Sequence, residues 1–158
     1  MATAGKNLSH FNRDDIPDAQ KLKIGLVVSG WNAEITEALY EGAYETLLEC
    51  GAQKENLIRL NVPGSFELIF GCKKLISDKS PDAVIAIGSV IRGETKHFDF
   101  VCDAAAQGIK DLNLLTGIPV IFCVLTDDNW QQAKDRSGGK HGNKGTEAAI
   151  AAIRMASL

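Results

Sequence analysis

An uninterrupted apolar run that stops at a polar turn constrains the fold of this 158-residue chain more than any other feature. Residues 83–87 read Ala-Val-Ile-Ala-Ile, and the run ends at Gly88. Such a run, without alternation, is typical of a strand buried on both faces of a parallel sheet. After Lys96 the apolar residues recur at helical spacing, so the sequence predicts a strand, a turn and a helix in succession.

The turn at residues 88–96 predicts a binding site. Such a turn lies at the carboxyl edge of a sheet, where α/β proteins bind their ligands. Backbone amides next to Gly88 and Gly93, followed by a helix N-terminus, suit a phosphate or another anion. An ordinary loop with solvated charges is the alternative. We favour a site because a strand end and a helix start bracket the polar cluster that contains His97.

Composition and charge exclude several classes of protein. The length suits one domain with its own core, and a net charge of -3 gives no broad attraction to nucleic acid or to an anionic membrane. No apolar run approaches the ~20 residues of a membrane span, and the N-terminus lacks the apolar core of a signal peptide, so we expect a cytoplasmic protein. The four cysteines and three histidines lack metal-ligand spacing, so we expect reduced thiols and no metal.

Periodicity along the chain predicts the element order βαβαβαβαα. Residues 1–21 are polar and aperiodic and predict a flexible arm, although Leu8, Phe11 and Ile16 are apolar enough to dock onto another surface. Residues 22–158 are predicted to form a single domain. Four strands, each followed by a helix, favour one parallel sheet with helices on both faces. The predicted fold class is therefore α/β, a three-layer α/β/α sandwich that is flavodoxin-like and has a four-stranded parallel sheet.

Local signals predict where the helices begin. Asn32 and Ser65 are residue types that cap helices, and they precede the first and second predicted helices. Thr126 or Asp127 is expected to open a short helix after the fourth strand. The final helix is predicted over residues 147–155.

The turns after the first three strands of such a sheet converge near its switch point. Trp31, Ser65, Glu67 and Val90 are therefore expected to share one crevice. Trp31 either offers a flat face to a planar heterocycle or packs on the adjoining helix. Glu67 would ordinarily be explained by complementing a helix dipole. Phe66, between Ser65 and Glu67, is expected to pack inward.

His97 is the natural general acid or base of the polar cluster, because an unperturbed imidazole titrates near neutral pH. A lone histidine is more often structural. Here Glu94 and Asp99 lie nearby in sequence, and Arg92 supplies an opposing charge. The residues alone leave both roles open.

Residues 136–145 form a basic, glycine-rich loop that opens onto a helix. The loop is not a P-loop, because Asn143 stands where the second glycine must be and Gly145 replaces the Ser or Thr. A flexible, solvated turn remains one interpretation. In an empty site, Glu147 is the expected ion-pair partner of Arg136.

Residues 90–99, Val-Ile-Arg-Gly-Glu-Thr-Lys-His-Phe-Asp, closely resemble the signature of the lumazine synthases, which catalyse the penultimate step of riboflavin biosynthesis. Residues 30–32 (Gly-Trp-Asn), 63–67 (Pro-Gly-Ser-Phe-Glu) and 140–145 (Lys-His-Gly-Asn-Lys-Gly) also resemble the family, in the same order. The resemblance covers nearly the whole chain from residue 23 onward. Four ordered matches are far more specific than any one of them.

The resemblance implies a condensation of 5-amino-6-(D-ribitylamino)uracil with 3,4-dihydroxy-2-butanone 4-phosphate to 6,7-dimethyl-8-ribityllumazine, phosphate and water. Imine formation, phosphate elimination and ring closure need no metal or redox cofactor, so no cofactor is expected. The family assigns proton transfer to the histidine that matches His97, and the planar fork of Arg136 suits bidentate phosphate recognition. The implied pyrimidine and ribityl contacts are Trp31, Asn32, Ser65, Phe66, Glu67, Val90, Ile91, Phe122 and Lys144. The implied phosphate contacts are Gly93, Glu94, Thr95 and Arg136.

Lumazine synthases form pentamers, and some build icosahedral shells from twelve pentamers. The resemblance implies active sites shared between subunits: one chain supplies Trp31, Glu67 and His97, and its neighbour supplies Phe122 and Arg136. Phe122 lies inside the last predicted strand, a sheet edge that needs covering, and a neighbour's arm could cover it. The glycine-rich loop carries no insertion, which resembles shell-forming members. We therefore predict a homo-pentamer that assembles into an icosahedral 60-mer.

Two rival classes share parts of this pattern. A flavin- or pterin-binding module would share the fold and Trp31 but leave His97 and Arg136 without a role. A phosphoacceptor receiver domain would need an acidic cluster and an aspartate after the third strand, which the sequence lacks. We expect small-molecule substrates and no nucleic-acid or membrane partner.

Overall fold

The computed structural model describes residues 7–158, and residues 1–6 of the predicted arm lie outside the described residues. Strands and helices alternate as predicted, with a short hairpin before the last helix. The strands are β1 (Ile24–Ser29), β2 (Leu57–Val62), β3 (Ala83–Ile91), β4 (Val120–Asp127), β5 (Ser137–Gly139) and β6 (Gly142–Asn143). The helices are α1 (Ala33–Glu49), α2 (Leu68–Lys79), α3 (His97–Thr116), α4 (Trp130–Arg136) and α5 (Lys144–Ala156). Within residues 7–158, no helix has the length and apolar character needed to span a membrane.

One parallel sheet in the order β2-β1-β3-β4 forms the centre of the fold. In β3, Val84 pairs with Gly25 of β1 on one side and with Val120 of β4 on the other. Every residue of β1 is buried, and β3 is buried from Ala83 to Ser89. The unbroken apolar run is therefore a strand covered on both faces, as the sequence predicts.

Two apolar cores, one on each face of the sheet, complete a three-layer sandwich. Side chains of α1, α4 and α5 pack on one face, and side chains of α2 and α3 pack on the other. Successive residues of β3 alternate between the two cores: Ile85 and Ile87 face the first, and Val84 and Ala86 face the second. The predicted flavodoxin-like α/β/α architecture is confirmed.

The described part of the predicted arm packs against the face covered by α1 and α5. Ile16 is buried there, and Phe11 packs against the same core. Arg13 holds the segment in place, because its guanidinium donates to the carbonyl oxygens of Ile16 at 2.8 Å and Cys50 at 3.1 Å. Leu8 also contacts its own domain, since its N–H donates to the His141 carbonyl oxygen at 2.7 Å, so all three apolar residues expected to dock do so within the chain. The domain boundary after residue 21 stays a prediction.

Two predicted helix caps are wrong. Asn32 has a left-handed backbone with φ of 57°, and its side-chain amide donates to the Ser89 carbonyl oxygen at 3.0 Å. α2 begins only at Leu68, so Ser65 lies too early in the chain to cap it. A long-range hydrogen bond in the first case and a later helix start in the second override the local preference of these residue types for cap positions.

The later helix starts also differ from the prediction. β4 continues to Asp127, so neither Thr126 nor Asp127 opens α4, and Asn129 caps that helix instead. α5 begins at Lys144, earlier than the predicted residue 147, because the Asn143 side chain caps it. Both caps satisfy backbone N–H groups that the first turn of a helix leaves unpaired.

The cysteine side chains are free thiols, as expected. Cys50, Cys72 and Cys123 are buried, and Cys102 is half-buried. Burial raises the pKa of Cys72 and Cys123 to about 12. These two thiols are therefore protonated and unreactive near neutral pH.

Candidate functional site

The turns that follow β1 and β2 are joined by hydrogen bonds and by their side chains. The Trp31 N–H donates to the Pro63 carbonyl oxygen at 3.2 Å. The side chains of Trp31 and Glu67 also both approach Gly64. A Cβ added to Gly64 would lie 3.2 Å from Trp31 Cδ1 and 3.0 Å from Glu67 Oε2. Two residues predicted to face a ligand therefore line the same surface.

The exposure of Trp31 decides between the two interpretations of its indole. The residue is 73% exposed, so it does not pack on α1. An open aromatic face beside a carboxylate suits a flat ligand that also carries hydroxyl groups. Phe66 is 55% exposed, so the expectation that it packs inward is wrong. The reason is that Phe66 precedes the start of α2 and so does not lie on the buried face of that helix.

The carboxyl end of β3 contacts the turns that follow β1 and β2. The Asn32 side chain donates to the Ser89 carbonyl oxygen at 3.0 Å, which fixes the turn after β1 to β3. Ser65 Oγ lies so close to Gly88 that a Cβ added there would be 2.7 Å from it. Only a glycine lets the turn after β2 approach β3 this closely. The ends of β1, β2 and β3 therefore form one crevice.

The polar turn after β3 is open to solvent. β3 ends at Val90 and Ile91, which are half-buried, and the residues from 92 to 97 are exposed. His97 is the first residue of α3, and its N–H donates to Thr95 Oγ1 at 3.4 Å. The turn presents a helix N-terminus, a hydroxyl and an imidazole at one edge of the sheet. Such a set can hold an anion next to a proton-transfer group.

Arg92 links this turn to the end of β4. Its Nε donates to Asp128 Oδ1 at 2.9 Å, and its Nη1 donates to Asp99 Oδ1 at 3.2 Å. Its guanidinium carbon also lies 4.1 Å from the centroid of the Phe98 ring. The hydrogen bond to Asp128 contributes most to raising the pKa of Arg92. Arg92 thus pairs with Asp99 on α3 and with Asp128 after β4, and it also packs on the ring of Phe98.

Arg136 has a different partner from the predicted one. Its Nη1 donates to the Gln132 carbonyl oxygen at 3.0 Å and lies 3.7 Å from Asp127 Oδ1. The predicted partner, Glu147, pairs with Lys144 at 2.5 Å. Glu147 and Lys144 are three residues apart on α5, so they lie on the same helix face.

The predicted site residues fall into two groups in one chain. Trp31, Ser65 and Glu67 line the crevice, whereas Phe122 lies midway along the edge strand β4, opposite Ala86 and 37% exposed. Arg136 and Lys144 bond to groups of α4, β4 and α5. Within residues 7–158, neither cation forms a hydrogen bond or ion pair with Trp31, Glu67 or His97.

Two adjacent carboxylates at the end of β4 were missed from the sequence. Asp127, the last residue of β4, faces Arg136, and Asp128, just after the strand, faces Arg92. Two aspartates at the carboxyl end of a predicted strand were the available signal. Burial raises the pKa of Asp127, and the positive charge of Arg136 opposes that rise. In the described part of the chain, no group of three or more His, Cys, Asp or Glu side chains is placed to hold a metal ion.

Comparison with known proteins finds one family. The sequence model described as 6,7-dimethyl-8-ribityllumazine synthase matches residues 21–158. The 6,7-dimethyl-8-ribityllumazine synthase of Christiangramia forsetii is 64% identical, over 100% of this chain and 95% of its own length. The same enzyme of Flavobacterium johnsoniae is 64% identical, over 99% of this chain and 82% of its own length. That of Porphyromonas gingivalis is 51% identical, over 100% of this chain and 98% of its own length.

Proposed function

Because the chain belongs to the 6,7-dimethyl-8-ribityllumazine synthase family, we propose that the crevice at the ends of β1, β2 and β3 is its active site. The enzyme condenses 5-amino-6-(D-ribitylamino)uracil with 3,4-dihydroxy-2-butanone 4-phosphate in riboflavin biosynthesis. One observation carries the proposed location: the exposed Trp31 indole lies beside the Glu67 carboxylate over Gly64. This pair matches a substrate with a planar ring and a hydroxylated chain.

The pyrimidine substrate occupies the crevice in this proposal. The ring stacks on the indole of Trp31, and the ribityl hydroxyls donate to the Glu67 carboxylate, which accepts several hydrogen bonds at once. Ser65 packs closely against Gly88, which supports a rigid surface behind the ribityl chain. The remaining proposed contacts of this substrate are Asn32, Phe66, Val90, Ile91, Phe122 and Lys144.

The phosphate substrate binds at the exposed turn after β3. The N-terminus of α3, next to Gly93, Glu94 and Thr95, carries the positive end of the helix dipole and favours an anion. Arg136 supplies the positive charge, and its planar guanidinium matches phosphate oxygens. Arg92 is engaged by Asp99 and Asp128, so it shapes the turn rather than binding the phosphate.

His97 transfers protons between the two substrates. It stands at the start of α3, next to the proposed phosphate turn, and its side chain is exposed. Imine formation and phosphate elimination both require protons to move between nitrogen, carbon and oxygen atoms, and an imidazole can donate and accept them near neutral pH. Holding the two reactants side by side supplies much of the remaining acceleration.

The assembly we propose is a pentamer that builds an icosahedral shell. Phe122 is exposed on the edge strand β4, and the outer faces of α2 and α3 carry further exposed apolar side chains. An isolated chain leaves this surface in water, whereas a neighbouring subunit buries it. The exposed apolar side chains of α2 and α3 are Phe70, Phe100, Leu114 and Leu115.

Light scattering on the purified protein should report the shell directly. Sixty chains of 17.0 kDa have a mass of about 1 MDa, whereas a pentamer has a mass of about 85 kDa. We expect the larger particle at neutral pH. A uniform species near the pentamer mass would contradict the shell and leave the pentamer standing.

Mixed refolding tests whether neighbouring subunits share each site. Trp31→Ala and Arg136→Ala chains should each be nearly inactive in separate assemblies. In a randomly mixed ring, about a quarter of the interfaces combine an intact Trp31 with an intact Arg136, so up to that fraction of wild-type turnover should return. A co-purified mixture that stays inactive would show that one chain supplies both residues. Trp130→Ala, which alters another exposed indole, is the control for assembly and should mix without affecting turnover.

We also propose a cytoplasmic location. Three of the four cysteines are buried as free thiols, and free thiols persist in reducing compartments. Riboflavin biosynthesis also supplies intracellular metabolism with its product. Fractionation of the host cell, with the activity followed in each fraction, checks this proposal.

A further inference from the structure

Asp127 is a buried carboxylate for which the proposed mechanism has no role. It is the last residue of β4 and only 6% exposed. Within residues 7–158, its Oδ2 is buried and receives no hydrogen bond. Burying a carboxylate without full hydrogen bonding is costly, and such groups are commonly found where they serve a function.

The one cation beside Asp127 in the described structure is Arg136, the proposed phosphate ligand. Arg136 Nη1 lies 3.7 Å from Asp127 Oδ1, which is beyond hydrogen-bond distance. The same Nη1 donates to the Gln132 carbonyl oxygen at 3.0 Å, so α4 itself holds the guanidinium in place. Asp127 therefore acts on Arg136 through its charge rather than as an anchor. Its neighbour Asp128 bonds to Arg92 and is largely exposed, so solvent screens that charge.

We propose that Asp127 acts through Arg136: as a buried counter-charge, it weakens the binding of phosphate to that guanidinium. The inference rests on the proposed role of Arg136 as the phosphate ligand. A phosphate bound to Arg136 is repelled by the nearby carboxylate, and the low-dielectric surroundings of Asp127 make that repulsion stronger than it would be in water. Asp127 itself touches neither substrate.

A weakened phosphate site suits a reaction that releases phosphate. The substrate and the inorganic product both carry the group that Arg136 recognises. Binding both more tightly would lower the KM without raising kcat, and it would slow the departure of the product. A counter-charge reduces both affinities without moving Arg136 from its place on α4.

The test is calorimetry of inorganic phosphate with the assembled Asp127→Asn enzyme. Asparagine keeps the size of the side chain and removes the charge. We expect phosphate to bind about 10-fold more tightly than to the wild type, because one nearby repulsive charge is gone. The KM of the phosphate substrate should fall by a similar factor, and the KM of the pyrimidine should stay unchanged. A purely structural defect would weaken binding, so a gain in affinity separates the two explanations.

Two further variants keep the test decisive. Asp135→Asn makes the same change in net charge next to Arg136 in sequence, but Asp135 faces Gln131 and Lys140, so phosphate affinity should not change. Asp127→Ser replaces the carboxylate by a smaller polar group and should also tighten phosphate binding. It serves as the test variant if Asp127→Asn fails to assemble. Unchanged or weaker binding in folded Asp127 variants overturns the counter-charge.

Arg136→Ala separates failure of this inference from failure of the proposed site. If phosphate binds the wild type and Arg136→Ala equally, the phosphate role of Arg136 is wrong, and the counter-charge falls with it. If Arg136→Ala loses phosphate while Asp127→Asn binds it no more tightly than the wild type, the phosphate site stands and only the role of Asp127 is wrong.

Discussion

Replacing His97 by asparagine should lower turnover by about 100- to 10,000-fold, the range that general acid–base catalysis contributes. A loss near the lower end is expected, because holding the two substrates together supplies part of the acceleration independently of His97. Asparagine cannot relay protons, but it preserves a polar side chain of moderate size at the start of α3. Steady-state turnover with both substrates, followed by formation of the lumazine product, measures the effect.

The pH dependence and a second histidine make this result specific. The rate of the wild type should depend on pH through a proton-transfer step that the His97→Asn variant lacks. The affinity for the phosphate substrate should stay close to that of the wild type, because its proposed binding groups are the N-terminus of α3 and Arg136 rather than the imidazole. His10→Asn, an exposed histidine in the segment before β1, should leave turnover unchanged. An unaltered rate across the pH range in His97→Asn would remove this residue from the mechanism.

The sheet and the crevice were predictable because burial leaves a strong pattern in the sequence. A strand covered on both faces has to be apolar throughout, and residues 83–87 satisfy this requirement. Parallel connections then bring the ends of consecutive strands to one edge. The approach of both Trp31 and Glu67 to Gly64 follows from this topology, although the two residues are distant in sequence.

The errors concern side chains whose partners are distant in sequence. Asn32 is a residue type that often caps helices. Its side-chain amide instead donates to the carbonyl oxygen of Ser89, which lies on β3, much later in the chain. The opposite charges of Arg136 and Glu147 predict an ion pair between them, whereas the carboxylate that lies near Arg136 is that of Asp127 at the end of β4. Cap preferences and charge pairs carry about 1 kcal/mol or less each, so a tertiary contact readily overrides them.

All of the site residues stay predictions, and a single chain brings only some of them together. Phe122 and Arg136 lie along β4 and α4, away from the bonds that close the crevice. The shared site that we propose accounts for this separation, because a rotation between subunits would place the second group opposite the first group of a neighbour. The sequence indicated such sharing through its resemblance to a family and through Phe122 on a predicted edge strand, but no local pattern identifies which residues of two chains would meet.

Replacing Arg136 by alanine should weaken use of the phosphate substrate by about 10- to 150-fold, which corresponds to one charge-assisted hydrogen bond of about 1.5–3 kcal/mol. The pyrimidine should bind as before, because its proposed contacts include Trp31 and Glu67 but not Arg136. Arg136→Lys keeps the charge but loses the planar fork, so its phosphate affinity should lie between those of the wild type and the alanine variant. Calorimetry with each substrate separately measures both effects.

Lys134→Ala provides the matched control for Arg136→Ala. Lys134 is a cation on the same helix, but it pairs with Glu34, so its loss should leave phosphate affinity unchanged. The comparison matters because removing any positive charge near an anion site lowers the general attraction for phosphate. Equal losses in Lys134→Ala and Arg136→Ala would attribute the effect to that general attraction. A loss confined to Arg136→Ala would instead require a specific contact, because the two side chains differ in position and geometry but not in charge.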